Sequence, residues 1–382
     1  MTFNSLVTVT GDARPSVGYE NPSASGATVT FNAGFEYNGT NGYGLLLGKG
    51  NTVYLGGTTD LSDKNVGISA TGKIVLNEGA DVKFGRVINT SSNNNNNGIV
   101  EVADGAVLAT VANAANYITT LTNAGEVTFG GSATIVTLNN SGELAFGKSA
   151  SVANLDNSGA LTASGNITVT DSYANTGSIT VVGSKLSVNN SAESLALGSI
   201  VLDNGELNIN YGGEGRVRDI GSLAIAGNSK LTQTSWNNFM HIGAINDVDV
   251  SQPGSFTWEM KTDHWSNSVL YLTGAGNFSG TFTAKRTAHS GNNGAYQGYV
   301  QIDDAKALQN AVLNVVGYQN NADVDYMSVA LHTATVETAG LSGNAQAIVY
   351  AGVADNTTGS GDNKRGQIAP SSVGTSTLVL DV

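Results

Sequence analysis

The stretch Leu121–Gly165, "LTNAGEVTFGGSATIVTLNNSGELAFGKSASVANLDNSGALTASG", says nearly the same thing three times. An Asn–small–Gly triplet recurs at Asn123, Asn140, Asn157 and Asn175, so Gly125, Gly142, Gly159 and Gly177 follow one another at almost constant spacing. After each triplet glycine, small or apolar residues fall on alternate positions, as in Val127 and Phe129 or Leu144 and Phe146. That is the period of a half-buried strand. A unit this short buries only one face and must stack on its neighbours to make a core. The template, relaxed to Gly, any residue, apolar, any residue, apolar, also fits at Gly72, Gly98, Gly198, Gly221 and Gly254. Within most units a second strand follows, as in "ADVKFG", "GNITVT", "SKLSVN" and "GELNIN". The unit reads as strand, turn, strand, Asn/Gly corner.

Two repeat architectures compete. A β-propeller blade needs about 40 residues and four strands, roughly twice this unit. A parallel β-helix takes one coil per unit, with coils about 4.8 Å apart, so about 17 coils give a rod on the order of 80 Å. The expectation is an all-β, right-handed parallel β-helix, a solenoid forming a single elongated domain. Asn123, Gly125, Asn140, Gly142, Asn157, Gly159, Asn175 and Gly177 are its structural corners, where stacked Asn amides can form a ladder. The chain divides into Asn/Gly-rich coils over 1–235, an aromatic bridging segment of the same solenoid over 236–269, and further coils over 270–382. "DDAKALQNAVL", the most helix-like stretch, reads as a turn entering a strand.

Composition agrees. Gly numbers 49 and Pro only 4, hydrophobic residues make up 40%, and charged residues 12%. Disordered chains combine low hydrophobicity with dense charge, which is the opposite. Gly and Asn tolerate the left-handed conformation that tight turns demand. The net charge of −13 and the absence of any Lys/Arg cluster argue against a nucleic-acid partner. Cys is absent, as suits export into an oxidising compartment. No apolar run reaches membrane-helix length. The opening "MTFNSLVTVTGD" has neither a basic n-region nor an apolar h-region, and the ending "STLVLDV" reads as a strand stopped midway. The expectation is an excerpt from an exported protein, with a cytosolic chain as the alternative.

Residues 270–316 contain "LTGAGNFSGTFT" and then "ALQNAVLNV", and "VETAGLSGNAQAIVY" and "STLVLDV" follow later. This pattern resembles the autotransporter-associated β-strand repeat of bacterial surface proteins. There a leucine-alternating strand leads into T-G-x-N-x-(Y/F)-S-G, another strand and an A-L-G-N-like turn. The chain departs from it at Gln309, where Gly is usual, and in the enlarged "RTAHSGNNGAYQG". The resemblance implies a right-handed β-helical passenger on a bacterial cell surface or secreted, normally carrying an N-terminal signal and a C-terminal barrel. Its membrane link would run only through that anchor. It also implies a non-catalytic adhesin or stalk whose partner is a glycan, a host surface protein or another copy. Fold alone does not choose among these.

Right-handed β-helices also build pectate-lyase-like enzymes, so a polysaccharide-active enzyme is the alternative, with a phage tailspike-like fibre a third. Such enzymes need clustered carboxylates, often with calcium, plus a basic residue on one face. The densest region is Trp236–Asn267, with all three Trp residues, His241, Asp247 and Asp249, the last two on one face of any strand there. Trp258 falls at an inward position of the template. Candidate ligand contacts are Trp236, His241, Asp247, Asp249 and Trp265, together with His289 and Tyr296 in the enlarged loop. Asp60 with Asp63, and Asp303 with Asp304, are acid pairs of the kind that usually remain solvated. No catalytic motif is recognisable, four scattered His residues make no metal spacing, and no cofactor is expected.

Overall fold

The structure, a computed structural model, describes residues 1–19, 25–69, 71–89, 98–111, 114–210, 216–234, 238–260, 268–287, 297–320, 323–333, 335–351 and 377–380. Among these residues there are strands and turns but no helix. Among the described residues the strands pair in parallel, apart from the antiparallel pairing of Tyr318–Asn320 with the start of Asp323–Leu331. The fold is a parallel β-helix. The chain forms two compact units, Met1–Ile179 and Thr180–Val382, and both boundaries drawn from composition (235/236 and 269/270) fall inside the second. Asp303–Leu313 is a turn leading into the strand Leu308–Val316, as expected.

In the first unit one ladder runs through Thr2–Phe3, Thr28–Phe31, Thr52–Leu55, Lys73–Leu76, Ile99–Val102, Asn116–Asn123, Ala133–Asn140, Ala150–Asn157 and Ile167–Asn175. A second runs from Val7–Val9 through Phe35–Tyr37, Thr58–Ile68, Asp81–Asn89, Val107–Thr110, Glu126–Phe129 and Glu143–Phe146 to Ala160–Ala163. The sequence repeat is the register itself: Asn123 pairs with Asn140 and Asn140 with Asn157. The step from Asn157 to Asn175 is one residue longer, and an irregularity opposite Val152–Asn154 absorbs it, so the corner stays in line.

In-register stacking places like over like. Leu121, Leu138 and Leu155 make one buried column, Ile118, Ile135 and Val152 another. Phe129 lies on Phe146 with ring centroids 5.4 Å apart and planes 10° apart. Tyr173 continues the leucine column, and burial pushes its hydroxyl above the usual tyrosine pKa.

The Asn column is also buried. Asn123 Nδ2 donates to Asn140 Oδ1 at 2.8 Å, Asn140 to Asn157 at 2.7 Å, and Asn157 to Asn175 at 2.8 Å. The same groups also donate to the main-chain carbonyls of Glu143, Ala160 and Ser178, which binds each corner to the next coil. A carboxamide carries both a donor and an acceptor, so it can repeat along a column without leaving either unmet. Only at the start is an acceptor left over: Val102 precedes Asn123 in the column, and Asn123 Oδ1 has no partner among the described residues.

The triplet glycines sit at the bends that follow these Asn residues, but not for the dihedral reason their type suggests. None of Gly125, Gly142, Gly159 and Gly177 has positive φ, whereas Thr71 and Asn204 do, at 59° and 50°. The constraint is steric. A Cβ on Gly142 would lie 2.1 Å from the carbonyl oxygen of Gly125, one on Gly159 2.2 Å from that of Gly142, and one on Gly177 2.1 Å from that of Gly159. Gly221 fits the same sequence template but lies within the strand Arg216–Ala226, with only ordinary contacts, the nearest at 3.6 Å.

In the second unit the coils lengthen. Lys185 pairs with Glu206, Glu206 with Lys230 and Lys230 with Thr257, and Thr281 pairs with Val312, the longest of these steps. Trp258 is fully buried in this ladder and faces the small Ala284 of the next coil. The opposite ladder comprises Ser194–Asp203, Arg216–Ala226, Asn238–Ile242 with Ile245–Asp247, Ser268–Leu272, Gln297–Ile302, Asp323–Leu331 and Ala347–Ala351.

Two pairs of outcomes follow in chemical denaturation. Asn140→Val strips the donor from Asn157 Oδ1 and the acceptor from Asn123 Nδ2, so it destabilises by about 2–4 kcal/mol. Asn123→Val removes one unmet oxygen while creating another, so its effect is smaller. Gly142→Ala destabilises by more than about 2 kcal/mol, because the obstructing atom is backbone. Gly221→Ala stays within about 1 kcal/mol of the native chain. Equal effects at the two glycines would contradict the steric account.

Candidate functional site

Of the ligand-contact candidates, Trp236, Trp265, His289 and Tyr296 lie outside the described residues. His241, Asp247 and Asp249 lie within them and do not come together as one patch. Asp247 ends the strand Ile245–Asp247 at an inward position, where the preceding coil has Ile225. It is 8% exposed, and its Oδ2 accepts both the backbone N–H of Ser279 at 2.9 Å and the Ser279 hydroxyl at 2.6 Å. Asp249 lies beyond the strand in a turn, exposed, and accepts the backbone N–H and hydroxyl of Ser251 at 2.9 and 2.7 Å. Those bonds hold its carboxyl below the usual pKa. The shared face expected from their two-residue spacing is not there, because the strand ends between them.

His241 belongs to a different arrangement. On the Asn238–Ile242 strand, Met240 and Ile242 point into the core, so His241 points out. Register then lines up Asp219, His241, Tyr271 and Gln301 on four successive coils. His241 Nδ1 is 3.1 Å from Asp219 Oδ1, and its ring meets Tyr271 edge-on, with centroids 4.8 Å apart at 71°. Gln301 Nε2 donates to Asp303 Oδ1 at 2.7 Å, and His332 Nδ1 is 2.6 Å from that same oxygen. The column therefore carries a His–carboxylate pair towards each end, with a tyrosine and an amide between them. Asp219, His241 and His332 keep 46%, 38% and 45% of their side chains exposed, Asp303 26%, whereas Gln301 is buried.

Beside this column, on the same outer side, Val269, Tyr299 and Ala330 form a buried cluster against which Phe239 and Tyr271 pack. Burial pushes the Tyr299 hydroxyl well above its ordinary pKa. Behind the strip, Arg218 is buried and donates to the carbonyls of Asn190, Ala192 and Val217. Burial, with Arg216 nearby, lowers its pKa. The strip thus rests on a fixed scaffold.

No known family, curated protein or solved structure matches this chain. The functional reading therefore rests on geometry.

Concave regions of the first unit include two lined by described residues. One of about 540 Å³ follows the corner glycines and is lined by Asp104, Glu126 and Glu143. The other, about 490 Å³, lies at Glu36, Asp60, Asp63 and Lys64. There Asp60 accepts the backbone N–H of Ser62 at 2.9 Å, and its pKa is lowered first by its bonds to Ser62 and then by Lys83. Asp63 sits 2.9 Å from Lys64. Asp303 and Asp304 do not act as a pair either: Asp303 takes His332, while Asp304 accepts the backbone N–H of Lys306 at 2.8 Å.

Asp219, Tyr271, Gln301, Asp303 and His332 carry no motif in the sequence. Each column member stands a full coil along the chain from the next, and uneven coil lengths conceal that they become adjacent. A carboxylate oxygen can only accept, so each neutral imidazole presents Nδ1–H to its aspartate and keeps its lone pair on Nε2. Long-range ¹⁵N–¹H correlation spectra should show that tautomer for His241 and His332, and Asp219→Asn and Asp303→Asn should each abolish the preference at the neighbouring ring. Predominant Nε2–H tautomers in the native chain would contradict the arrangement.

Proposed function

We propose that this chain is a non-catalytic, surface-exposed β-helical segment of a bacterial autotransporter-like protein, acting as an adhesin or stalk. The observation that carries the reading is the outward strip Asp219–His241–Tyr271, continued past the buried Gln301 by Asp303 and His332, a set of diverse side chains on an otherwise repetitive scaffold. Repetition supplies a rigid support, and contact is made where its side chains depart from the repeat. The polysaccharide-active alternative draws on Asp247 and Asp249, but these are engaged by Ser279 and Ser251 and face different surroundings. Asp247 Oδ1 takes no hydrogen bond among the described residues but is buried away from any substrate on the outer surface, and Asp249 stands apart in its turn, so the two do not form an acid–base pair. The repeat resemblance, the absence of cysteine and the acidic balance all suit an exported protein.

Beads coated with the full chain should adhere to glycan-bearing cell or mucin surfaces. Tyr271→Ala should reduce that adhesion about ten-fold, with the circular dichroism spectrum unchanged. A parallel screen for lyase and hydrolase turnover should find none. Turnover lost in Asp247→Asn or Asp249→Asn would overturn the reading in favour of the enzyme.

A further inference from the structure

Resting on that reading of the strip as a contact surface, we infer that its ligand is a neutral glycan chain lying across the strands, along the stacking direction, with about one sugar ring per coil.

Three observations point to that chemistry. The first is spacing. Asp219, His241 and the half-buried Tyr271 occupy one register position in consecutive coils, and on the next coil the part-exposed Asp303, paired with His332, stands beside the buried Gln301, so contact groups repeat at about 4.8 Å over roughly 14 Å. A ligand matched to them needs units of similar length with similar demands, which a linear pyranose chain supplies. The second is the mixture of groups. Asp219 and the neutral imidazoles accept hydroxyl protons, and the half-buried Tyr271 ring, met edge-on by His241, offers its exposed part to sugar C–H groups. The third is charge. A carboxylate stands towards each end of the strip, Asp219 and Asp303, each beside an imidazole, in a chain of net charge −13. Uronates, sulfated sugars and phosphorylated glycans would be repelled.

A peptide is the other polymer that binds sheets, but it does so by adding a strand to an unpaired edge. Here the strands Asn238–Ile242, Ser268–Leu272 and Gln297–Ile302 are paired on both sides, so only side chains are on offer.

The test is isothermal titration calorimetry on the full chain with unbranched neutral oligosaccharides, from the disaccharide to the hexasaccharide of a β-glucan and of a xylan. Oligogalacturonates of equal length and a neutral peptide serve as comparisons. Affinity for at least one neutral series should rise with length and level off near about four units, the span of the strip. Tyr271→Ala should weaken it about ten-fold, as should the near-isosteric Asp219→Asn. The double variant Asp219→Asn/Asp303→Asn should bind the oligogalacturonate more tightly than the native chain does, an effect that misfolding would not produce. Neutral binding absent at millimolar concentration, a native preference for the uronate, affinity independent of length, or binding of the peptide instead would each overturn the inference. If coated beads adhere while neutral sugars do not bind, this inference fails and the contact reading stands. Loss of both would remove the contact reading as well.

Discussion

At the corners of the first unit, the backbone carbonyl of one coil occupies the space that the next coil's Cβ would need. Gly125, Gly142, Gly159 and Gly177 meet that condition by having none. On the inner side of the same bends, the carboxamides of Asn123, Asn140, Asn157 and Asn175 hand a hydrogen bond from coil to coil. One constraint sets how closely the coils approach and the other sets their register. A one-residue slip would turn each buried Leu and Phe of these coils outward and leave the amides facing apolar neighbours, so the core of this part of the first unit depends on the corner.

Parallel in-register stacking puts like residues over like, which favours amides and rings and disfavours charges. The outer surface of the second unit answers by alternation. Lys185 faces Glu206, which faces Lys230, and Lys230 pairs in turn with Glu259, itself in register with Lys285. In the first unit Lys73 bridges to Glu101 at 2.7 Å. Glu126 over Glu143 is an exception, directly opposed across adjacent strands. As the coils of the second unit lengthen, strict repetition gives way, and different side chains share a column. The strip from Asp219 to Gln301 arises in that part of the stack, so the loosening of the repeat supplies chemical variety.

The architecture was legible because the period between successive Asn corners is short enough to see and too short for a propeller blade. Asn123, Asn140, Asn157 and Asn175 announced both their positions and their ladder, since a carboxamide carries a donor and an acceptor and can pass a hydrogen bond to the next copy of itself while buried. The reason for the glycines was not legible: left-handed conformation and close approach select the same residue, and only coordinates separate them. The contact strip was less visible still. His241 could be singled out as a rare residue type, but its partners Asp219 and Tyr271 lie one coil before it and one coil after it. Coil lengths there are unequal, so no fixed period reveals the register. The Asp247/Asp249 pairing misled for a local reason, because alternation on one face holds only while the strand continues, and it stops at Asp247.

The most direct measurement of the central claim is the solvent exchange of the side-chain Nδ2 protons of Asn140 and Asn157, followed by NMR in heavy water. Amides that each donate to the next Asn and to a carbonyl of the following coil open only with the coil itself. Their exchange should be slowed as strongly as that of the backbone N–H groups of Ser141 and Ser158, which bond to the Asn123 and Asn140 carbonyls. Exchange at the rate of a solvated carboxamide, with the backbone amides still protected, would show that the corners hold register without the ladder and would contradict the account.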